Sequence, residues 1–153
     1  MSGERFTLDT NILFYNLDDS AGERHVRAQQ LIGRAAVAEC YLTLQAVSEF
    51  YAAITRKRVL TPTRAEAAAR DFLAIFPTIP PTADAVRAAM AAAAAGRASY
   101  WDALLVATAA EAGCTAILTE DLADGTTLLG VRVINPFAGD ALPPAALALL
   151  GQG

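Results

Sequence analysis

The sequence predicts an α/β fold, with a mainly parallel central sheet covered by helices on both faces. Three observations carry that expectation. Short apolar runs of strand character alternate with stretches whose apolar residues recur at helical spacing, the pattern of successive βαβ units. Capping and chain-breaking residues fall between those stretches. Finally, 153 residues, 54% hydrophobic and 18% charged, suit one compact domain with a sizeable core, not a disordered chain.

The elements follow in order. Arg5-Phe6-Thr7-Leu8 alternates as a short strand ending at Asp9. Residues 21–39 read as a helix, with Leu31, Ile32, Ala35 and Ala36 on one face. Cys40 to Thr43 forms a second, buried strand. Leu44, Val47, Tyr51 and Ile54 then mark a helical stripe ending near Arg56-Lys57-Arg58. Thr61-Pro62 opens the next helix, with proline at a position that tolerates it; Ala65, Ala69, Phe72, Leu73 and Phe76 are its stripe. Pro77 to Pro81 is an extended piece suited to a sheet edge. Thr82 caps a helix running to Gly96, and Ser99 caps another, carrying Trp101, Leu104, Leu105 and Thr108, that stops at Gly113. Thr115 to Leu118 and Val131 to Ile134 are apolar strands. Pro136 and Pro143-Pro144 break the tail. The expected organisation is one domain over residues 1–140 and a tail over 141–153 with room for a short helix. In open parallel sheets, sites form beyond the carboxyl ends of the strands, where strand order switches; that points to the residues after Leu8 and Leu118.

Composition removes several chemistries. No apolar run is long enough to span a membrane, and Glu4, Arg5 and Asp9 interrupt any secretory signal. Cys40 and Cys114 are far apart in apolar contexts, which disfavours a disulfide framework or a zinc cluster and makes a reducing cytoplasm the expected location. The single histidine, His25, lies in a polar helical stretch; one histidine supplies neither a zinc hydrolase site nor a convincing Ser-His-Asp site. No glycine-rich phosphate loop is present. A net charge of −4 argues mildly against a nucleic-acid binder, although where the acids sit matters more than their sum.

Four acids stand among apolar or small neighbours: Asp9, Glu49, Asp102 and Asp121. Such carboxylates are costly unless paired or bound to a cation. No Lys or Arg lies between Arg34 and Arg56, or between Arg97 and Arg132. A hard divalent cation, Mg²⁺ or Mn²⁺, would compensate several carboxylates together and make water nucleophilic without histidine. Each acid also has a purely structural reading. Asp9 can close an Asx-turn. Glu49 can be a solvated helix residue. Asp102 can complete a capping box with Ser99, and Asp121 can cap a helix. If the four converge, repulsion raises the folded-state pKa of at least one of them.

The order and spacing of these pieces resemble the PIN-domain nucleases, and within them the VapC-type toxins. The resemblance rests on Leu8-Asp9-Thr10-Asn11, Val47-Ser48-Glu49-Phe50, Ser99-Tyr100-Trp101-Asp102-Ala103-Leu104-Leu105, Leu118-Thr119-Glu120-Asp121-Leu122 before Gly125, and Val133-Ile134-Asn135-Pro136-Phe137. It covers residues 5 to 137. It implies a three-layer α/β/α fold with about five strands in the order 3-2-1-4-5, and Mg²⁺- or Mn²⁺-dependent cleavage of RNA. It places Asp9, Glu49, Asp102 and Asp121 at the family's acidic positions, with Thr10, Asn11 and Thr119 as supporting hydrogen-bonders. Asp124 competes with Asp121 for the fourth place. The resemblance further implies a VapB-like antitoxin partner and a homodimer within the complex.

With the four acids set aside, the rest of the chain is close to neutral, so its surface need not repel RNA. Arg56, Lys57 and Arg58 could hold phosphate; alternatively they complement a helix C-terminus. Competing functions are a PIN-fold scaffold or RNA-binding protein without catalysis, and an aspartate-based phosphatase. The phosphatase would place a second Asp where Asn11 stands. A receiver-like signalling domain would need a Lys near the last strand, and Lys57 is the only Lys.

Overall fold

In the computed structural model, which describes residues 3–151, strands and helices alternate as the sequence predicts. The strands are β1 (Phe6–Leu8), β2 (Leu42–Thr43), β3 (Thr78–Ile79), β4 (Ala116–Leu118), β5 (Thr127–Leu128) and β6 (Val131–Ile134). The helices are α1 (Thr10–Leu17), α2 (Glu23–Ala35), α3 (Leu44–Arg56), α4 (Pro62–Ile75), α5 (Ala83–Ala94), α6 (Tyr100–Glu111) and α7 (Pro144–Leu149).

β1, β4 and β6 pair in parallel, as do β2 and β3. A parallel bridge from Phe6 to Cys40 joins the two groups. The strand order is therefore β3-β2-β1-β4-β6-β5, with β5 antiparallel at the outer edge. For the five strands expected from the sequence this is the order 3-2-1-4-5. The chain moves from β1 to one side and returns to β4 on the other. The switch point thus lies between the carboxyl ends of β1 and β4, where ligands gather in such sheets.

Every residue of β1 and β4 is buried, so helices cover both faces. The principal core joins Phe6, Leu8, Ile117 and Leu118 of the sheet to residues of α1, α2, α3 and α4. The rings of Phe50 and Phe72, 5.2 Å apart edge to face, tie α3 to α4. On the other side α5 and α6 pack through an alanine seam that includes Ala85, Ala89, Ala103 and Ala107. In the tail, Ala146, Leu149 and Leu150 are buried in the principal core.

Several local features depart from the sequence reading. α1 follows β1 with only Asp9 between them, leaving no turn residues to announce it. The helix expected over 21–39 is shorter: a 3₁₀ turn spans Asp19–Ala21, and Gly22, at φ +66°, precedes α2. The second strand contracts to two residues. β5 and β6 form a two-residue hairpin whose turn places Leu129 at φ +51° and Gly130 at φ +79°. Such a turn needs positive φ at both positions and normally announces itself with Asn-Gly or Asp-Gly; leucine in the first place hides it.

Candidate active site

Asp9 occupies the N-cap position of α1, yet its side chain makes no capping bond. The strand fixes it instead: its backbone N–H donates to the Leu118 carbonyl at 3.0 Å, carrying the β1–β4 ladder one residue further. The side chain turns inward and the residue is only 6% exposed. Thr119, fully buried, donates its hydroxyl to Asp9 Oδ2 at 2.8 Å. The same Thr119 oxygen accepts the Asp121 backbone N–H at 3.0 Å. One hydroxyl therefore sets both the Asp9 carboxylate and the path of the chain to Asp121. Asn11 Nδ2, in the first turn of α1, donates to both Asp121 carboxylate oxygens at 3.3 and 3.0 Å. The Asp121 carboxyl lies close enough to Asp9 to act on it. Burial, then the neighbouring Asp121, push the Asp9 carboxyl up to about 8, against the opposing pull of the Thr119 bond. Burial and the neighbouring carboxylate thus favour the protonated form of Asp9.

The other two acids flank this pair on different helices. Glu49, mid-way along α3, accepts Thr10 Oγ1 at 2.8 Å and Gln45 Nε2 at 3.0 Å. Gln45 also donates to the Trp101 carbonyl at 2.8 Å, linking α3 to the first turn of α6. Asp102 sits in that turn. Ser99 caps α6 by accepting the Asp102 N–H at 3.2 Å, so the capping expected from sequence is present. The Asp102 carboxyl nevertheless lies above its ordinary range: burial raises it, as do the charges of Asp121 and Glu49, while Ser99 opposes. Asp102 thus faces the same centre. Full convergence is not observed: among the described residues no three acids, cysteines or histidines gather at metal-ligand spacing. Glu49 is held by Thr10 and Gln45, and the turn that carries Asp102 by Ser99.

Neighbouring residues sort differently. Asp124 accepts the Asn135 backbone N–H at 2.9 Å and so closes the loop before β5, while Asp121 meets Asp9. No helix follows Asp121 for it to cap. His25, half-buried, bonds the Tyr15 carbonyl through Nδ1 at 2.8 Å and takes no part in the acidic centre. Glu120, which sequence reasoning passed over, accepts the Tyr15 hydroxyl and is bonded by Arg24 Nη2 at 2.9 Å. Gln45 was also passed over, although its place four residues before Glu49 is the ordinary spacing for a helical side-chain pair. Of the basic run, Lys57 lies 5.1 Å from the Phe14 ring centre, while Arg56 and Arg58 are exposed at the end of α3.

Among the described residues no Lys, Arg or His forms an ion pair with Asp9, Glu49, Asp102 or Asp121. Their charges meet only hydroxyls, amides and one another. An all-oxygen, anionic, partly buried donor set of this kind fits a hard divalent cation.

The PIN domain family model matches residues 6–123. No curated protein matches the chain. Among solved structures it is similar to Mycobacterium tuberculosis VapC20, a Sarcin-Ricin loop cleaving toxin, at 18% identity and a TM-score of 0.62, over 83% of this chain and 98% of that one. It is likewise similar to a toxin-antitoxin complex from Klebsiella pneumoniae (23% identity, TM-score 0.60, 86% and 97% covered). DNA-bound VapBC from Salmonella typhimurium gives 17% identity and a TM-score of 0.61 over 86% and 97%. At these identities the likeness is one of fold.

Proposed function

The chain belongs to the PIN-domain family, and we propose that it is a Mg²⁺- or Mn²⁺-dependent endoribonuclease, the toxin of a VapBC-like toxin–antitoxin pair acting in the cytoplasm. Residues 1–140 would form the nuclease unit and 141–153 its tail. One observation supports this reading above the others. Asp9 stands where an aspartate ordinarily caps a helix, but its carboxylate is withheld from the cap and buried against a second carboxylate with no cation partner. Such an arrangement raises the free energy of the fold and persists where it serves a site.

Asp9, Asp121, Asp102 and Glu49 would hold the ion. What a divalent cation supplies in such a setting is acidification of water and neutralisation of charge building on the phosphate oxygens. The chain's own residues do the rest. Thr119 orients Asp9 and the approach to Asp121. Asn11 spreads its two donors across the Asp121 carboxylate. Thr10 and Gln45 hold Glu49 towards the centre, and Ser99 fixes the turn that presents Asp102. Asp9 would have to be ionised to serve as a ligand. Arg56, Lys57 and Arg58 would supply contacts to the RNA backbone.

An antitoxin partner is supported by the toxin–antitoxin complexes among the similar folds. An arginine from such a partner would pair with these carboxylates in place of a cation. We propose that this chain forms a homodimer within that complex. The test is incubation of the purified chain with a panel of structured and single-stranded RNAs. Internal cleavage in Mn²⁺ or Mg²⁺ that EDTA abolishes is the expected result. Cleavage unaffected by EDTA would overturn the metal, and binding of RNA without cleavage would favour the scaffold reading.

A further inference from the structure

Residues 50–65 contain Arg56, Lys57, Arg58 and Arg64 and no acid, a local charge of +4 in a chain whose net charge is −4. Two of these cations have ordinary structural explanations. Arg56 is in the last turn of α3, where a positive charge complements the helix dipole. Lys57 lies over the Phe14 ring. The other two stand where the fold favours different residues. Arg58 follows the C-cap of α3 at φ +59°, with its N–H on the Thr55 carbonyl at 3.0 Å and the Val59 N–H on the Ile54 carbonyl at 3.1 Å. This is a helix-terminating turn whose left-handed residue is ordinarily glycine. Arg64 lies in the first turn of α4, a turn without any acid, where a cation opposes the dipole.

Both arginines line a single cleft at the α3–α4 corner, together with Thr55 and Thr61 and over Val59 and Leu60. No acid lines it, and neither guanidinium has an ion-pair partner among the described residues. Thr61 Oγ1 accepts the Arg64 N–H at 3.3 Å and keeps its own proton for a ligand oxygen. The Thr55 hydroxyl is already donated to α3 carbonyls. The cleft thus offers two guanidiniums and one hydroxyl donor to an anion.

We propose that Arg58, Arg64 and Thr61 form a phosphate-binding subsite that holds the RNA backbone away from the carboxylate centre. Resting on the ribonuclease reading, it narrows the basic run to Arg58 and adds Arg64. Arg58 stands nine positions after Glu49, and the part of α3 between them spans about 10 Å of helix axis, so the subsite grips a nucleotide beyond the one being cut. An arginine in a place that suits glycine, and another in a place that suits an acid, are local conflicts that a binding role resolves.

The test is binding of a labelled single-stranded RNA to the full chain in EDTA, across a salt series, for wild type, Arg58→Gly, Arg64→Gln and the double variant. The two substitutions relieve local conflicts, so melting temperatures should equal or exceed that of wild type. Affinity should nevertheless fall about fivefold in each variant, and the slope of log K against log salt should shrink by about 0.7 for each contact removed. Unchanged affinity and slope in variants that melt normally would overturn the subsite, whatever the chain cleaves. Weakened affinity for an acidic protein partner with RNA binding intact would also overturn it. Wild-type cleavage in Mn²⁺ is scored separately. A chain that cleaves but whose variants bind like wild type loses only the subsite; one that binds with the predicted slopes but never cleaves loses only the nuclease.

Discussion

Glu120 and Asp121 are adjacent in sequence and opposite in circumstance. Burial alone would raise Glu120, but the Arg24 bond, the Tyr15 hydroxyl and the Arg24 charge outweigh it and hold the carboxyl below its ordinary range. The Arg24 guanidinium lies beside two rings, 5.9 Å from the Tyr15 centre and 5.6 Å from that of Phe137, so residues from α1, α2 and the segment after β6 close around one acid. One residue further on, Asp121 meets Asp9, and burial with this like-charged neighbour moves Asp9 the other way, to about 8. The first acid is satisfied inside the fold and locks the loop after β4. The second belongs to a pair that the fold leaves without a cation. Asp9 is buried while Asp121 is exposed, and what separates Glu120 from this pair is its basic partner.

Breaking the uncompensated pair should have the largest effect. Asp9→Asn keeps size and hydrogen-bonding shape while removing the charge. Metal-dependent RNA cleavage by this variant should fall at least about 100-fold, and its melting temperature in EDTA at neutral pH should not fall. Breaking the satisfied acid should do the reverse. Glu120→Gln leaves Arg24 without its counter-charge, and because Arg24 is half exposed the expected loss of stability is about 1 kcal/mol, read in denaturant unfolding.

The two regions also differ in the sign of their pH dependence. Asp9 has a folded-state pKa raised from 3.8 to about 8, so the folded state holds a proton that the unfolded chain has released. Its contribution to metal-free stability is intact at the acid end, falls as pH rises between these two values, and is wholly lost above about 8. The folded-state pKa of Glu120 is lowered from 4.5. Its contribution is present above that value and disappears as pH falls through the lowered one. Unfolding free energies in EDTA from acid to mildly basic pH should therefore decline on both flanks. Asp9→Asn should flatten only the basic flank, and Glu120→Gln only the acid one. A basic flank unchanged in Asp9→Asn would break the comparison.

Much of this was legible in the sequence. β1, β4 and β6 are apolar runs bounded by polar or turn residues, and Thr61, Thr82 and Ser99 cap helices as their sequence contexts predict. The four acids stood out because their neighbours in the chain are apolar or small. α1 escaped because no turn separates it from β1, and β5 because its hairpin uses Leu129 where the turn chemistry favours Asn or Gly. The Tyr15–Arg24–Glu120 network could not be read at all: about a hundred positions separate its partners, and only the closure of the sheet brings them together. The sequence likewise put Asp121 in the fourth place with Asp124 as its rival. In the structure one meets Asp9 and the other secures a backbone amide.

The central claim is that Asp9, buried beside Asp121, carries a proton which a divalent cation must displace. Calorimetric titration of Mn²⁺ into the metal-free chain, at about pH 7 and in buffers of different ionisation enthalpy, counts that proton directly. The account predicts release of about one proton per bound ion in wild type, falling towards zero at about pH 9 and absent in Asp9→Asn. Mn²⁺ binding to wild type at neutral pH without proton release would contradict it, as would release that persists in Asp9→Asn.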